Sequence, residues 1–198
     1  TNLQCNYKME STIDNSAQRK RVHPHKFSMW LAMGSITMMF AGLTSAYIVR
    51  HAQGNWVDYK LPMHFYWSTA AIVLSSITMI LGIKAFKNRE MGKYRMLITS
   101  TLILGIAFML LQYTGFKALY ASDIRVDGNP SESFLFIIAG LHLLHIAGGI
   151  VALLIVFFRA FRTNVKVYNA TGLEVVGTYW HFIDVLWIYL FVFFLANQ

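Results

Sequence analysis

Only one cysteine, Cys5, occurs among the 198 residues, which excludes an internal disulfide framework and any zinc site built on cysteines. Proline is nearly as scarce: three in the whole chain leave long helical segments unbroken. Charged residues make up 13% of the chain, about half the usual 25%. Hydrophobic residues reach 56% and the mean hydropathy is +0.47. That composition excludes disorder and most soluble enzymes. The chain also lacks a Walker A motif, a glycine-rich dinucleotide loop, an H-E-x-x-H pair and a Cys-x-x-Cys pair, so it offers no self-contained active site.

What the chain has in quantity is long apolar runs. A bilayer core of about 30 Å needs roughly 20 apolar residues in a helix, and five segments qualify: 27–49, 64–86, 94–116, 134–158 and 175–196. The expected fold is therefore all-α, a polytopic membrane helix bundle of five transmembrane helices spanning residues 27–198. Residues 1–26 read as a flexible polar N-terminal arm, too polar for a signal peptide or a sixth span. The net charge of +8 is explained by topology and anionic lipid, with no nucleic acid. Basic residues gather in the arm, in the loop after span two (Lys84, Lys87, Arg89, Lys93, Arg95) and in the loop after span four (Arg159, Arg162, Lys166). Lys and Arg beside spans stay on the cytoplasmic side, so the N-terminus is expected to be cytoplasmic and the C-terminus outside. The five spans show no internal repeat, and an odd number does not divide into two transporter halves.

The side chains that carry chemistry lie in spans four and five. In G-L-H-L-L-H-I-A-G-G, His142 and His145 stand at i, i+3 on one helix face, with Gly140, Gly148 and Gly149 as candidate packing glycines. That spacing can chelate a metal. It can equally place two hydrogen-bonding groups on a helix-facing stripe, and this reading is favoured because a metal site needs three or four donors at one depth. In span five, Glu174, His181 and Asp184 fall within about 60° of one another at 100° per residue, a single polar stripe on an apolar helix. Such a stripe must face protein. Depth counting places His145 nearest Asp184, so a His–carboxylate interaction is expected there. A proton relay and a metal or haem site are the minority readings. The many aromatic residues of span five, and ten methionines spread over the chain, read as packing. His23-Pro24-His25 reads as a turn ahead of span one.

Taken together, these residues resemble subunit III of haem–copper cytochrome oxidases. The resemblance rests on Gly140, His142, His145, Gly148 and Gly149, on Glu174, and on Tyr179-Trp180-His181-Phe182-Ile183-Asp184 with Trp187. It is supported in span one by Trp30-Leu31-Ala32-Met33-Gly34-Ser35 with Met38, Met39, Phe40, Ala41, Gly42 and Leu43. It covers roughly residues 22–196, and five spans suggest the short bacterial form. Where the family's span-one segment often carries a membrane-embedded glutamate, this chain has Ile36, so no role of that carboxylate transfers.

The resemblance implies a non-catalytic core subunit of a respiratory cytochrome c oxidase, which reduces oxygen to water and pumps protons. It implies no cofactor and no metal in this chain, with haem and copper in partner subunits and phospholipid bound between helices. The implied partners are the catalytic subunit I, subunit II and small subunits, with a respiratory supercomplex as a further prospect, in the bacterial cytoplasmic membrane. His142, His145, Glu174, His181 and Asp184 match positions whose implied role is a structural polar network. Arg95, Arg159, Arg162 and Lys166 are candidate lipid-headgroup contacts. The alternatives are an accessory subunit of a quinol oxidase or nitric oxide reductase, a membrane redox protein binding haem or metal itself, and a small transporter.

Overall fold

Each apolar run becomes one helix in the computed structural model, which describes residues 24–52, 63–121, 130–161 and 170–197. The helices are α1 (Pro24–His51), α2 (Met63–Lys87), α3 (Met91–Ala121), α4 (Pro130–Phe161) and α5 (Ala170–Ala196). All five are long and apolar enough to cross a membrane. Each extends one to five residues beyond the expected apolar limits at nearly every end, because a helix continues to satisfy its own backbone where the side chains turn polar. Pro24 opens α1, where its missing N–H costs nothing. Part of the expected His23-Pro24-His25 turn is thus helix, while His23 lies outside the described residues.

Contacts between helix ends show the up-and-down order. Lys87 at the end of α2 pairs with Glu174 near the start of α5 at 2.9 Å, and Arg95 Nε near the start of α3 donates to the Ala160 carbonyl at the end of α4 at 2.9 Å. At the opposite face, Tyr47 of α1 donates its hydroxyl proton to the Asn197 carbonyl, and Phe65 of α2 meets Phe116 of α3. α2, α3, α4 and α5 pack in a ring, each against the next, and α1 lies outside it against α4 and α5.

α2 and α3 form the most extensive pair. Apart from Ala85 and Leu102, their buried positions repeat with alternating steps of three and four: Phe65, Ser68, Ile72, Ser75, Met79, Gly82 on α2, and Tyr94, Ile98, Thr101, Gly105, Phe108, Gln112, Gly115, Leu119 on α3. That is the spacing of a seam between two helices packed side by side. A short link, Asn88 to Glu90, joins them. Glu90 N–H reaches the Ala85 carbonyl and Arg89 N–H reaches the Phe86 carbonyl, the two bonds of a Schellman ending. Arg89 occupies its left-handed position at φ 59°, where a side chain is disfavoured and glycine is not.

In hydrocarbon, helices gain little from hiding apolar surface, so close backbone approach and interhelical hydrogen bonds hold them together. Trp180 is the main example. A Cβ on Gly105 of α3 would stand 2.9 Å from its indole, and one on Gly149 of α4 would stand 3.1 Å from it. The indole Nε1 donates to Ser75 Oγ of α2 at 3.0 Å. One side chain of α5 therefore joins three other helices. By contrast, nothing lies within 4 Å of a Cβ on Gly140, and one on Gly148 would meet only the Tyr179 hydroxyl at 3.9 Å. Of the three expected packing glycines, Gly149 alone sits against a close neighbour. Gly140 is corrected to an exposed position, since the period of α4 turns it away from the seam.

Two outcomes follow for thermal unfolding in detergent. Gly105→Ala and Gly149→Ala lower stability by about 1–3 kcal/mol through overpacking, whereas Gly140→Ala is neutral or stabilising by up to about 1 kcal/mol; equal effects at all three positions would show that the Trp180 slot is loose. Arg89→Gly raises the unfolding free energy by roughly 1 kcal/mol, through relief of a left-handed side chain, and is read as a higher unfolding midpoint.

Candidate functional site

The polar stripe of α5 faces α2. Glu174, near one membrane face, holds Lys87 at 2.9 Å. One and a half to two turns further along, His181 Nδ1 and Ser76 Oγ of α2 share a hydrogen bond of 2.6 Å. Asp184, fifteenth of the 27 residues of α5, lies at mid-helix and is 2% exposed. Among the described residues, neither of its carboxyl oxygens has a hydrogen-bond partner. Ser76 stands close enough to interact with that carboxyl, and its oxygen shares the bond to His181 Nδ1. A charge at this depth costs about 2.5–3.5 kcal/mol if left uncompensated.

The expected His145–Asp184 interaction is not formed. His145 Nδ1 donates instead to the Leu141 carbonyl of its own helix at 2.7 Å, and its own carbonyl accepts from the Tyr179 hydroxyl at 3.2 Å. Depth counting gave a height along two antiparallel helices but not the azimuth. The histidine face of α4 looks toward Phe40 of α1, whose ring is 5.8 Å from His145 and 6.2 Å from His142. The α4–α5 seam is filled by Trp180 against Gly149 and by Trp187 stacked on His142.

His142 is fully buried, and neither ring nitrogen has a hydrogen-bond partner among the described residues. It stacks on Trp187 at 5.0 Å with 28° between planes and meets Phe108 edge-on at 6.3 Å. It therefore serves as an aromatic ring in the core. The five candidate residues are thus distributed over three settings, an ion pair at the rim, a serine–histidine bond half-way in, and two buried groups without partners, instead of one continuous network. Among the described residues, no three His, Cys, Asp or Glu side chains are placed to hold a metal ion.

Residues that sequence reasoning missed surround this site. Trp187 Nε1 donates to Thr69 Oγ1 at 3.0 Å, Gln112 Nε2 to Ser68 Oγ at 3.0 Å, and Thr78 and Thr101 share a bond of 2.9 Å. Ser68, Thr69, Ser75, Ser76 and Thr78 make α2 the polar partner of both α3 and α5. Their clustering in one apolar run was the available signal, since small hydroxyls in a membrane helix mark its protein-facing sides. Gly177 is a further close approach, its Cβ position falling against Ile83 of α2. Ile36, at the position of the family's span-one glutamate, is partly buried against the hydrophobic core.

Of the candidate headgroup contacts, Arg95 is held by the Ala160 carbonyl and lies 5.4 Å over the Phe161 ring, and Arg159 is exposed at the same end. Arg162 and Lys166 lie outside the described residues.

A groove opens beside the stripe. Met29 and Trp30 of α1, Ile83 of α2, and Glu174, Val175, Gly177, Thr178 and His181 of α5 enclose about 320 Å³. It exists because α1 and α2 flank α5 without packing on each other.

Comparison with known proteins places this architecture. Residues 57–196 match the family model described as cytochrome c oxidase subunit III. A protein of Mycobacterium bovis named "Probable cytochrome c oxidase subunit 3" is 29% identical over 196 residues, covering 92% of this chain and 97% of the relative. One of Nocardia farcinica with the same name is 30% identical over 187 residues, covering 89% and 92%. The "Cytochrome c oxidase subunit 3" of Bacillus sp. PS3 is 28% identical over 167 residues, covering 82% and 80%. With five membrane-spanning helices and a family match over most of its length, this chain belongs to the cytochrome c oxidase subunit III family, the multi-pass subunit III of haem–copper oxidases.

Proposed function

We propose that this chain is a non-catalytic core subunit of a bacterial respiratory cytochrome c oxidase, set in the cytoplasmic membrane with its N-terminus inside. It packs against the catalytic subunit I, alongside subunit II and small subunits, and supports the stability, lipid retention and proton uptake of subunit I. Haem, copper and the oxygen chemistry belong to those partners.

The observation that carries this reading is how the polar groups of spans four and five are used. Trp180 and Trp187 bond α2 hydroxyls, His145 bonds its own helix, and His142 is stacked among aromatic rings. These are packing roles, as the family likeness implies. The cytoplasmic orientation is supported by the basic face made by Lys84 and Lys87 in the last turn of α2, Arg95 near the start of α3 and Arg159 in the last turn of α4. The same face supplies guanidinium and ammonium groups suited to anionic headgroups. Apolar residues such as Met38, Leu144 and Val185 are more than 60% exposed, as surfaces meeting lipid or another membrane subunit are.

Purification of this chain in mild detergent from its own cells, followed by a visible spectrum and mass spectrometry, tests the reading. Oxidase haem bands arriving with a large multi-span partner and a copper-binding subunit are expected. A coloured chain that carries haem or metal with no partner overturns it. Replacing His142 and His145 together by Gln leaves the haem bands of the assembled complex unchanged; loss of a band would make these histidines ligands.

A further inference from the structure

We propose that the groove between α1 and α2 is a water-filled inlet through which Asp184 binds and exchanges a proton, by way of His181 and Ser76. The inference goes beyond the accessory role described above and does not depend on it.

Three independent features converge on one line. The first is the groove, which begins at the Glu174–Lys87 ion pair and is lined along α5 by Glu174, Thr178 and His181. These residues are spaced i, i+4, i+7, so one face of α5 presents a carboxylate, a hydroxyl and an imidazole to the opening over roughly 10 Å of rise. The second is the 2.6 Å bond between His181 Nδ1 and Ser76 Oγ at the inner end. The third is Asp184, one turn deeper, with both oxygens lacking partners although it is 2% exposed. A carboxyl at mid-bilayer requires a cation, a set of donors or a proton. Among the described residues neither of the first two is formed, and Ser76 is the hydroxyl beside it.

The elements packed on α5 present few other ionisable groups to this line. α1 contributes Met29 and Trp30 at the groove, neither ionisable. α2 contributes Lys84 and Lys87, both in its last turn at the mouth. α4 contributes His142, held on the far side against Trp187, and His145, which donates to Leu141.

The transfer uses only O–H and N–H bonds. A hydrated proton in the groove protonates Nε2 of His181, Nδ1–H passes its proton to Ser76 Oγ, and Ser76 gives its hydroxyl proton to the Asp184 carboxylate, which leaves neutral water in the groove and His181 with its proton on Nε2. One positive charge leaves the groove for each carboxylate neutralised, and when Asp184 releases its proton the same bonds run in reverse, Ser76 returning a proton to Nδ1 and Nε2 giving one to groove water, which restores the starting tautomer. The ligand is the proton itself, carried by water. Glu174 and Lys87 sit at the entrance as an ion pair.

Infrared spectroscopy of the full chain in its purified complex provides the test. A carboxylic C=O band that is missing in Asp184→Asn, and that shifts when the buffer is changed to deuterium oxide, is expected. Ser76→Ala and His181→Phe slow that shift about tenfold or more, equivalent to roughly 1.4 kcal/mol on the barrier. If the band exchanges at the unaltered rate in both variants, or if no such band depends on Asp184, the proposal fails. Because Asp184→Asn could disturb folding, a second reading uses the chain with Cys5→Ser and Thr178→Cys. A charged, membrane-impermeant thiol reagent labels Thr178→Cys rapidly if the groove holds water. Labelling no faster than at Val185→Cys, which lies on an exposed apolar face of the same helix, would mean that acyl chains fill the groove and would overturn the inlet.

Discussion

The packing of Trp180 is the interaction on which the bundle most depends. Its indole occupies a slot whose walls are the backbones of α3 at Gly105 and α4 at Gly149, and its N–H reaches Ser75 on α2. In water, a buried tryptophan would be held chiefly by the hydrophobic effect. In a bilayer that term is nearly cancelled, because lipid tails are as apolar as the core, and what remains is dispersion at close contact and hydrogen bonds with no competing water. A residue that provides both, to three helices at once, fixes their spacing and their rotation together. Trp187 repeats the device two turns on, bonding Thr69 and stacking on His142.

That arrangement determines where polarity can lie. With the two tryptophans directed at α3 and α4, the polar stripe of α5 is rotated toward α2, whose hydroxyls receive it. The rim ion pair, the serine–histidine bond and the buried aspartate are successive depths of one seam. α1 stays outside the ring and leaves a groove along that seam, so the most polar line in the membrane is also the one open to the basic face.

An accessory role in an oxidase is compatible with this design. Apart from His142 and Asp184, the buried polar side chains described above hold helices to one another, and large apolar faces are left for lipid and neighbouring subunits. A membrane subunit that is rigid inside and apolar outside can shield a partner without taking part in electron transfer. Where Ile36 replaces the carboxylate common in the family's first segment, α1 packs an apolar side chain against the core, so Asp184 is the acidic group at mid-membrane among the described residues.

The sequence alone determined the number of spans, their approximate limits, the family, and the fact that the stripe of Glu174, His181 and Asp184 faces protein. Each follows from one-dimensional quantities: run length against bilayer thickness, residue types, and the 100° step of a helix. Which helix meets that stripe emerges from the packed bundle alone, because the azimuth of one helix about another depends on side chains that fill the seam between them. Trp180 and Trp187 fill the seam with α4, which separates His145 from Asp184 and gives the aspartate's surroundings to Ser76. The same reason explains the glycines: Gly140 and Gly149 look alike in sequence, and the position of an indole makes one of them indispensable to the packing and leaves the other at the surface.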